Sequence, residues 1–177
     1  MLPMETLQYP IGKFESKPFS EKLFTEWLLD IKYLQHHLEN AILNLDEAQL
    51  DTPYRPQGWT VKQVVHHMAD SHMNAYIRCK LALTEELPTI KPYDEVAWAL
   101  TPEINIVPIN VSITLLHALH HRWHALIGQL RQEDLQRKFF HPEHQKEISL
   151  LEIINFYAWH SKHHVAHITS LRERNNW

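Results

Sequence analysis

Glycine is nearly missing from this chain, at 3 of 177 residues. That is under about 2%, where roughly 7% is usual. Loops that cradle phosphate and dinucleotide-binding turns need clustered glycines, so nucleotide chemistry of those kinds is excluded. Cysteine occurs once, at Cys79, which excludes an intrachain disulfide and a zinc–thiolate cluster. No apolar run approaches the roughly 18 residues of a membrane span, and Met1-Leu2-Pro3-Met4-Glu5 is no signal peptide. No membrane partner is therefore expected, and a cytoplasmic location is the default. Lys and Arg number 17 against 21 Asp and Glu, with no basic stripe, so no nucleic-acid footprint is present. With 44% apolar and 21% charged residues, residues 1–177 read as one globular domain around a single core.

Histidine is the excess, at 15 residues. Neutral imidazole is the commonest metal ligand, so the helices that carry these residues come first. Residues 1–19 hold Pro3, Pro10 and Pro18 without a helical period and read as an arm over the body. From Ser20, a capping residue, Leu23, Trp27, Leu28, Ile31, Leu34, Leu38, Ile42 and Leu45 fall at helical spacing. Thr60 and Gln63 form a capping box that opens a second helix, Val61 to about Glu86. Residues 87–110 form a loop with Pro88, Pro92, Pro102 and Pro108, long enough to suggest a functional role. A third helix is expected from Val111 to about Leu130. After an irregular stretch, 132–148, Ser149 and Glu152 cap a fourth helix that reaches Arg172. No strand or repeat is evident. The pattern predicts an all-α four-helix bundle, in which facing helices supply metal ligands.

Direction on each helix follows from a turn of about 100° per residue. On the fourth helix His160, His163, His164 and His167 share one arc of about 100° and make two i,i+4 pairs, each able to bind one ion. Leu150, Ile154, Tyr157, Val165 and Ile168 centre nearer His160 and His164, which assigns that pair to the core and leaves His163 and His167 nearer solvent. On the second helix His66 points away from the apolar stripe, His72 points into the core, and His67 sits at the edge. His67, His160 and His164 thus form a candidate trio from two helices. Three protein ligands with an open fourth position is the catalytic pattern for zinc. The rival readings remain histidines scattered over surface and core, or a different combination.

Other polar residues have plainer readings. His117, His120, His121 and His124 on the third helix describe a hydrophilic face, with only His120 near the apolar stripe. Asp70 and Asn74 follow His67 at i+3 and i+7, where an outer partner for a ligating imidazole would sit. Arg78 reads as solvated, although a cavity-edge guanidinium would suit an anionic substrate.

These motifs resemble a known family. Gly58-Trp59-Thr60-Val61 with His66-His67-Met68-Ala69-Asp70-Ser71, and then His160-Ser161-Lys162-His163-His164, are similar to signature elements of the DinB/YfiT-like superfamily. Tyr9-Pro10-Ile11-Gly12, Asp51-Thr52-Pro53-Tyr54-Arg55 and Pro92-Tyr93-Asp94-Glu95 resemble its YfiT branch, to which metal-dependent hydrolysis is ascribed. Val165-Ala166-His167 stands where many members have Arg-Gly-Gln. The resemblance implies an up-down-down-up four-helix bundle and a homodimer. It also implies one divalent ion per chain, zinc or nickel, on His67, His160 and His164. Exposed Tyr76, Ile77 and Leu81 on the second helix point to a homodimer as well.

Two chemistries fit such a centre. A divalent ion lowers the pKa of water to near 7 for attack on an ester or amide. No H-E-x-x-H motif places a glutamate as general base. The superfamily also resembles transferases that use bacillithiol-type thiols, where the ion would deprotonate a low-molecular-weight thiol that then attacks an electrophile. Hydrolysis of a small-molecule substrate is the formal expectation and thiol transfer the alternative. A stress-response protein with a structural ion is the non-enzymatic rival.

Overall fold

The computed structural model describes residues 3–177. Four long helices carry the architecture: α2 (Glu21–Ile42), α4 (Val61–Thr84), α7 (Ile109–Ile127) and α8 (Leu150–Asn175). Short helices α1 (Met4–Gln8), α3 (Glu47–Leu50), α5 (Glu95–Trp98) and α6 (Glu103–Ile106) lie in the arm and the connections. The caps act as the sequence requires. Ser20 Oγ accepts from Leu23 N–H, and Thr60–Gln63 and Ser149–Glu152 each close a reciprocal capping box. Helix α7 begins two residues earlier than expected because Pro108 stands at its N-cap, where a missing N–H costs nothing.

Cross-helix contacts give the topology. Asp30 and Ala41 of α2 meet Lys162 and Arg172 of α8, so these helices run parallel. His66 and His72 of α4 meet Ser112 and His120 of α7, again in parallel. Glu39 and Ile31 meet His117 and His120 in reverse order, and Ser71 and His67 meet Tyr157 and His164 in reverse order. The bundle is therefore up-down-down-up. No single helix among the described residues is long and apolar enough to cross a membrane.

The apolar core is split in two. One cluster gathers Trp27, Ile31, Ala75, Trp123, Ile127 and Ile154 at one end of the bundle. The other gathers Leu34, Leu38, Val64, Met68, Leu116 and Ile168 at the opposite end. Between them each helix changes cluster at its middle, near residue 33 on α2, 72 on α4, 120 on α7 and 160 on α8. His72, His120, His160 and His164 occupy that layer, all buried. A polar group left unsatisfied there costs about 1–3 kcal/mol.

Several expectations need correction. Residues 132–148 are not irregular throughout, because β1 (Lys138–His141) pairs antiparallel with β2 (Lys146–Ser149). Strands of four residues are too short for an alternating pattern to stand out, and the turn uses Gln145 at φ 51° rather than glycine. The Pro-rich loop contains α5 and α6 and is pinned to the hairpin by Ile90 N–H to Phe140 O at 3.1 Å and Phe140 N–H to Pro88 O at 2.9 Å. The arm contains α1, which shows no amphipathic period because it buries no residue. Tyr76 and Leu81 are not free surface. Both pack on the core, with the Arg122 guanidinium over Tyr76, and only Ile77 stays exposed.

Candidate metal centre

His67 on α4 and His160 and His164 on α8 converge at one edge of the polar layer, with one ligating atom of each within 4.8 Å of the others. The Nε2 atoms of His160 and His164 lie 3.1 Å apart. Two nitrogens at about 2.0–2.1 Å from a tetrahedral ion stand about 3.3 Å apart, so the donor set fits such an ion. Trp59, the residue before the α4 cap, packs its ring against His67 at 4.5 Å between centroids. Burial holds the imidazoles uncharged, and neighbouring imidazoles add to the effect. His67 is pushed down to about 4, and His160 and His164 fall well below 6.5. The trio thus offers lone pairs at neutral pH, the form a metal requires. No fourth His, Cys, Asp or Glu among the described residues joins the group.

The trio lies on a cleft of about 350 Å³ whose walls include Arg78, Tyr93, Glu95, His141, Glu143 and Tyr157. The Pro-rich loop supplies Tyr93 and Glu95 and the β1–β2 hairpin supplies His141, with Glu143 in its turn, so two connections close over one face of α4 and α8. Tyr157 is held from below, its hydroxyl donating to Ser71 O at 3.1 Å and lying 3.0 Å from Ser71 Oγ. A larger groove of about 810 Å³ between α2 and α8 contains none of the three histidines. The smaller cleft is the candidate site because it joins open space to the three imidazoles.

The remaining histidines divide. His72 is in the core, as the angles require. His66 was expected to point away from the core but is buried, with Nδ1 2.8 Å from Ser112 Oγ of α7. His163 and His167 were expected nearer solvent and are also buried, because the arm lies over them. His167 Nε2 donates to Gln8 O at 3.0 Å and its ring stacks on Tyr54 at 3.9 Å, while His163 packs between Trp159 and Tyr9. Asn74 donates to the Asp70 backbone carbonyl. The Asp70 carboxyl is raised to about 6 by burial and then by Glu103. Neither side chain bonds His67, His160 or His164. His117 meets Glu39 at 2.9 Å on the outer face. Of the cleft walls, Tyr93 and Glu95 belong to a motif visible in the chain, but nothing in the sequence signals His141 or Glu143.

A model of the DinB superfamily matches residues 31–168. A protein of Bacillus cereus strain G9842 is 54% identical over 98% of this chain and 100% of its own length. A protein of Bacillus thuringiensis subsp. konkukian strain 97-27 matches at 54% over the same shares. Both bear the provisional name metal-dependent hydrolase. The structure of YfiT from Bacillus subtilis, described in similarly provisional terms as a metal-dependent hydrolase with an unusual four-helix bundle topology, superposes with a TM-score of 0.94. It is 44% identical and covers 97% of this chain and 99% of its own. Fold, length and the matched span agree, and the chain belongs to the DinB superfamily.

Proposed function

We propose that the protein is a metal-dependent hydrolase in which His67, His160 and His164 hold one divalent ion, zinc or nickel, for a small-molecule substrate. The observation that carries this reading is a group of three buried, neutral imidazoles, with no fourth ligand among the described residues, opening onto a cleft. The names given to its relatives support it. Such an ion supplies Lewis acidity, polarising an electrophile and rendering water acidic near neutral pH.

The chain's own side chains supply the rest. Glu95 and Glu143 line the cleft and offer carboxylates to take a proton, a role that no helical sequence motif provides. These carboxylates favour water over a thiol as nucleophile, because a thiol bound to such an ion ionises without a base. The side chain of Arg78, half-buried in the wall, forms no hydrogen bond or ion pair among the described residues. Its guanidinium is therefore available to an anionic group on the substrate.

The experiment uses zinc-loaded protein with activated aryl esters, with and without chelator, beside the His160→Ala variant. Hydrolysis that requires the ion and disappears in the variant is the expected result. Conjugation of a low-molecular-weight thiol to a haloarene, with no ester cleavage, would overturn the hydrolase in favour of a transferase.

A further inference from the structure

Two buried histidines of the mid-bundle layer are not ligands. His72 on α4 and His120 on α7 are both 0% exposed, and imidazoles so placed persist only if hydrogen-bonded. Their bonds form a single line. His120 Nδ1 lies 2.5 Å from the carbonyl oxygen of Ile31 on α2. His120 Nε2 lies 3.0 Å from His72 Nδ1, and His72 Nε2 lies 3.2 Å from His160 Nδ1 on α8. The line passes once through each long helix and ends on a member of the metal trio.

Its direction follows from its fixed end. A carbonyl oxygen only accepts, so His120 Nδ1 carries hydrogen. A neutral imidazole carries one such hydrogen, so His120 Nε2 is bare and accepts from His72 Nδ1–H. His72 Nε2 is then bare and accepts from His160 Nδ1–H. What remains is His160 Nε2, a bare lone pair facing His164. A cationic His120 would keep its bond to Ile31 but reverse both imidazole–imidazole bonds and put hydrogen on that nitrogen. Among the described residues no carboxylate bonds His72 or His120 to stabilise a cation, and full burial of His120 disfavours its charged form. Trp123 and Tyr157, edge-on to the His72 ring at 5.9 and 4.9 Å, hold its plane.

We infer that His72 and His120 are positioning residues that select the Nδ1–H tautomer of His160, so that its Nε2 is offered bare and in a fixed orientation before any ion arrives. The use made of that nitrogen rests on the metal reading above, whereas the tautomers belong to the metal-free chain. The ligands are consequently held unequally. His164 Nδ1 is buried without a partner among the described residues, so nothing braces that ring from its Nδ1 side, while His160 is braced from all four helices.

The first test needs no variant. Metal-stripped full-length protein with 15N-labelled histidine is examined by long-range 1H–15N correlation. His120, His72 and His160 should all be Nδ1–H tautomers. Nε2–H on His72 or His160 would overturn the inference. The second test titrates zinc against a chromophoric chelator. His72→Phe, which leaves His160 Nδ1–H without an acceptor, should weaken binding by about 10–100-fold. His72→Gln, whose carbonyl oxygen accepts that hydrogen, should recover part of the loss. Undiminished affinity in a folded His72→Phe protein would overturn the positioning role, and if that variant does not fold the wild-type tautomers decide. The expected tautomers in a chain that binds no zinc would sink the metal reading and leave the hydrogen-bonded line intact. Zinc binding by a chain whose His160 carries Nε2–H would do the reverse.

Discussion

Acid should unfold the metal-free protein far more steeply than an ordinary bundle. Seven histidines, His67, His72, His120, His160, His163, His164 and His167, are each no more than 8% exposed. Burial, the first cause in every case, holds His67, His120 and His167 at about 4 and His163 at about 3, with His72, His160 and His164 well below 6.5. Unfolding returns each to about 6.5. The unfolded chain therefore binds more protons below that value, and stability falls as pH falls. The contribution is fully present above about 6.5 and is lost toward the folded-state values near 4. Between pH 7.5 and 5.5 each such imidazole costs about 1.4 kcal/mol, because the unfolded state gains roughly tenfold in weight. For seven the loss is roughly 10 kcal/mol, against a total stability of about 5–15 kcal/mol. The assay is urea unfolding by circular dichroism at both pH values, with chelator present throughout. His167→Phe should reduce the difference by about 1.4 kcal/mol. A change below about 3 kcal/mol between the two pH values would refute the reasoning, since it would mean that most of these rings already bind protons in the folded state.

Further outcomes follow from the same structure. Leu38→Ala, at a fully buried site in the cluster away from Trp123, should cost about 2–5 kcal/mol in urea unfolding, with zinc stoichiometry unchanged. Thr60→Ala removes half of the α4 capping box and should cost about 1 kcal/mol. Rescue of stability by a Thr60→Ser exchange would confirm the cap. Metal analysis of His67→Ala or His164→Ala should show the ion lost, while His163→Ala should keep it. Retention in the first two would reassign the ligands. A homodimer predicts a light-scattering mass twice that of one chain at micromolar concentration, and a single-chain mass would refute it.

What the chain declares locally is a matter of near neighbours. Ser20, Thr60 and Ser149 act on N–H groups three residues away, so their caps are readable as spacing and appear in the structure as such. The inward direction of His72, His160 and His164 follows from helical periodicity, because an apolar stripe marks the side that must leave water. The residues that escaped this logic are those buried by something distant in sequence. His66 looked outward on its own helix, yet α7 lies against that side. His163 and His167 occupy the less apolar flank of α8, and the arm, through Tyr9 and the Gln8 carbonyl, together with Tyr54, removes them from solvent. The cleft is a further case. Its trio and Arg78 lie on two helices, but Tyr93, His141 and Glu143 meet them only because the Pro-rich loop and the hairpin fold over the same face. The order of donors and acceptors from Ile31 to His160 lies beyond any single segment. It requires four helices packed so that each contributes one member, and a hydrogen bond exists only when both partners arrive within about 3 Å.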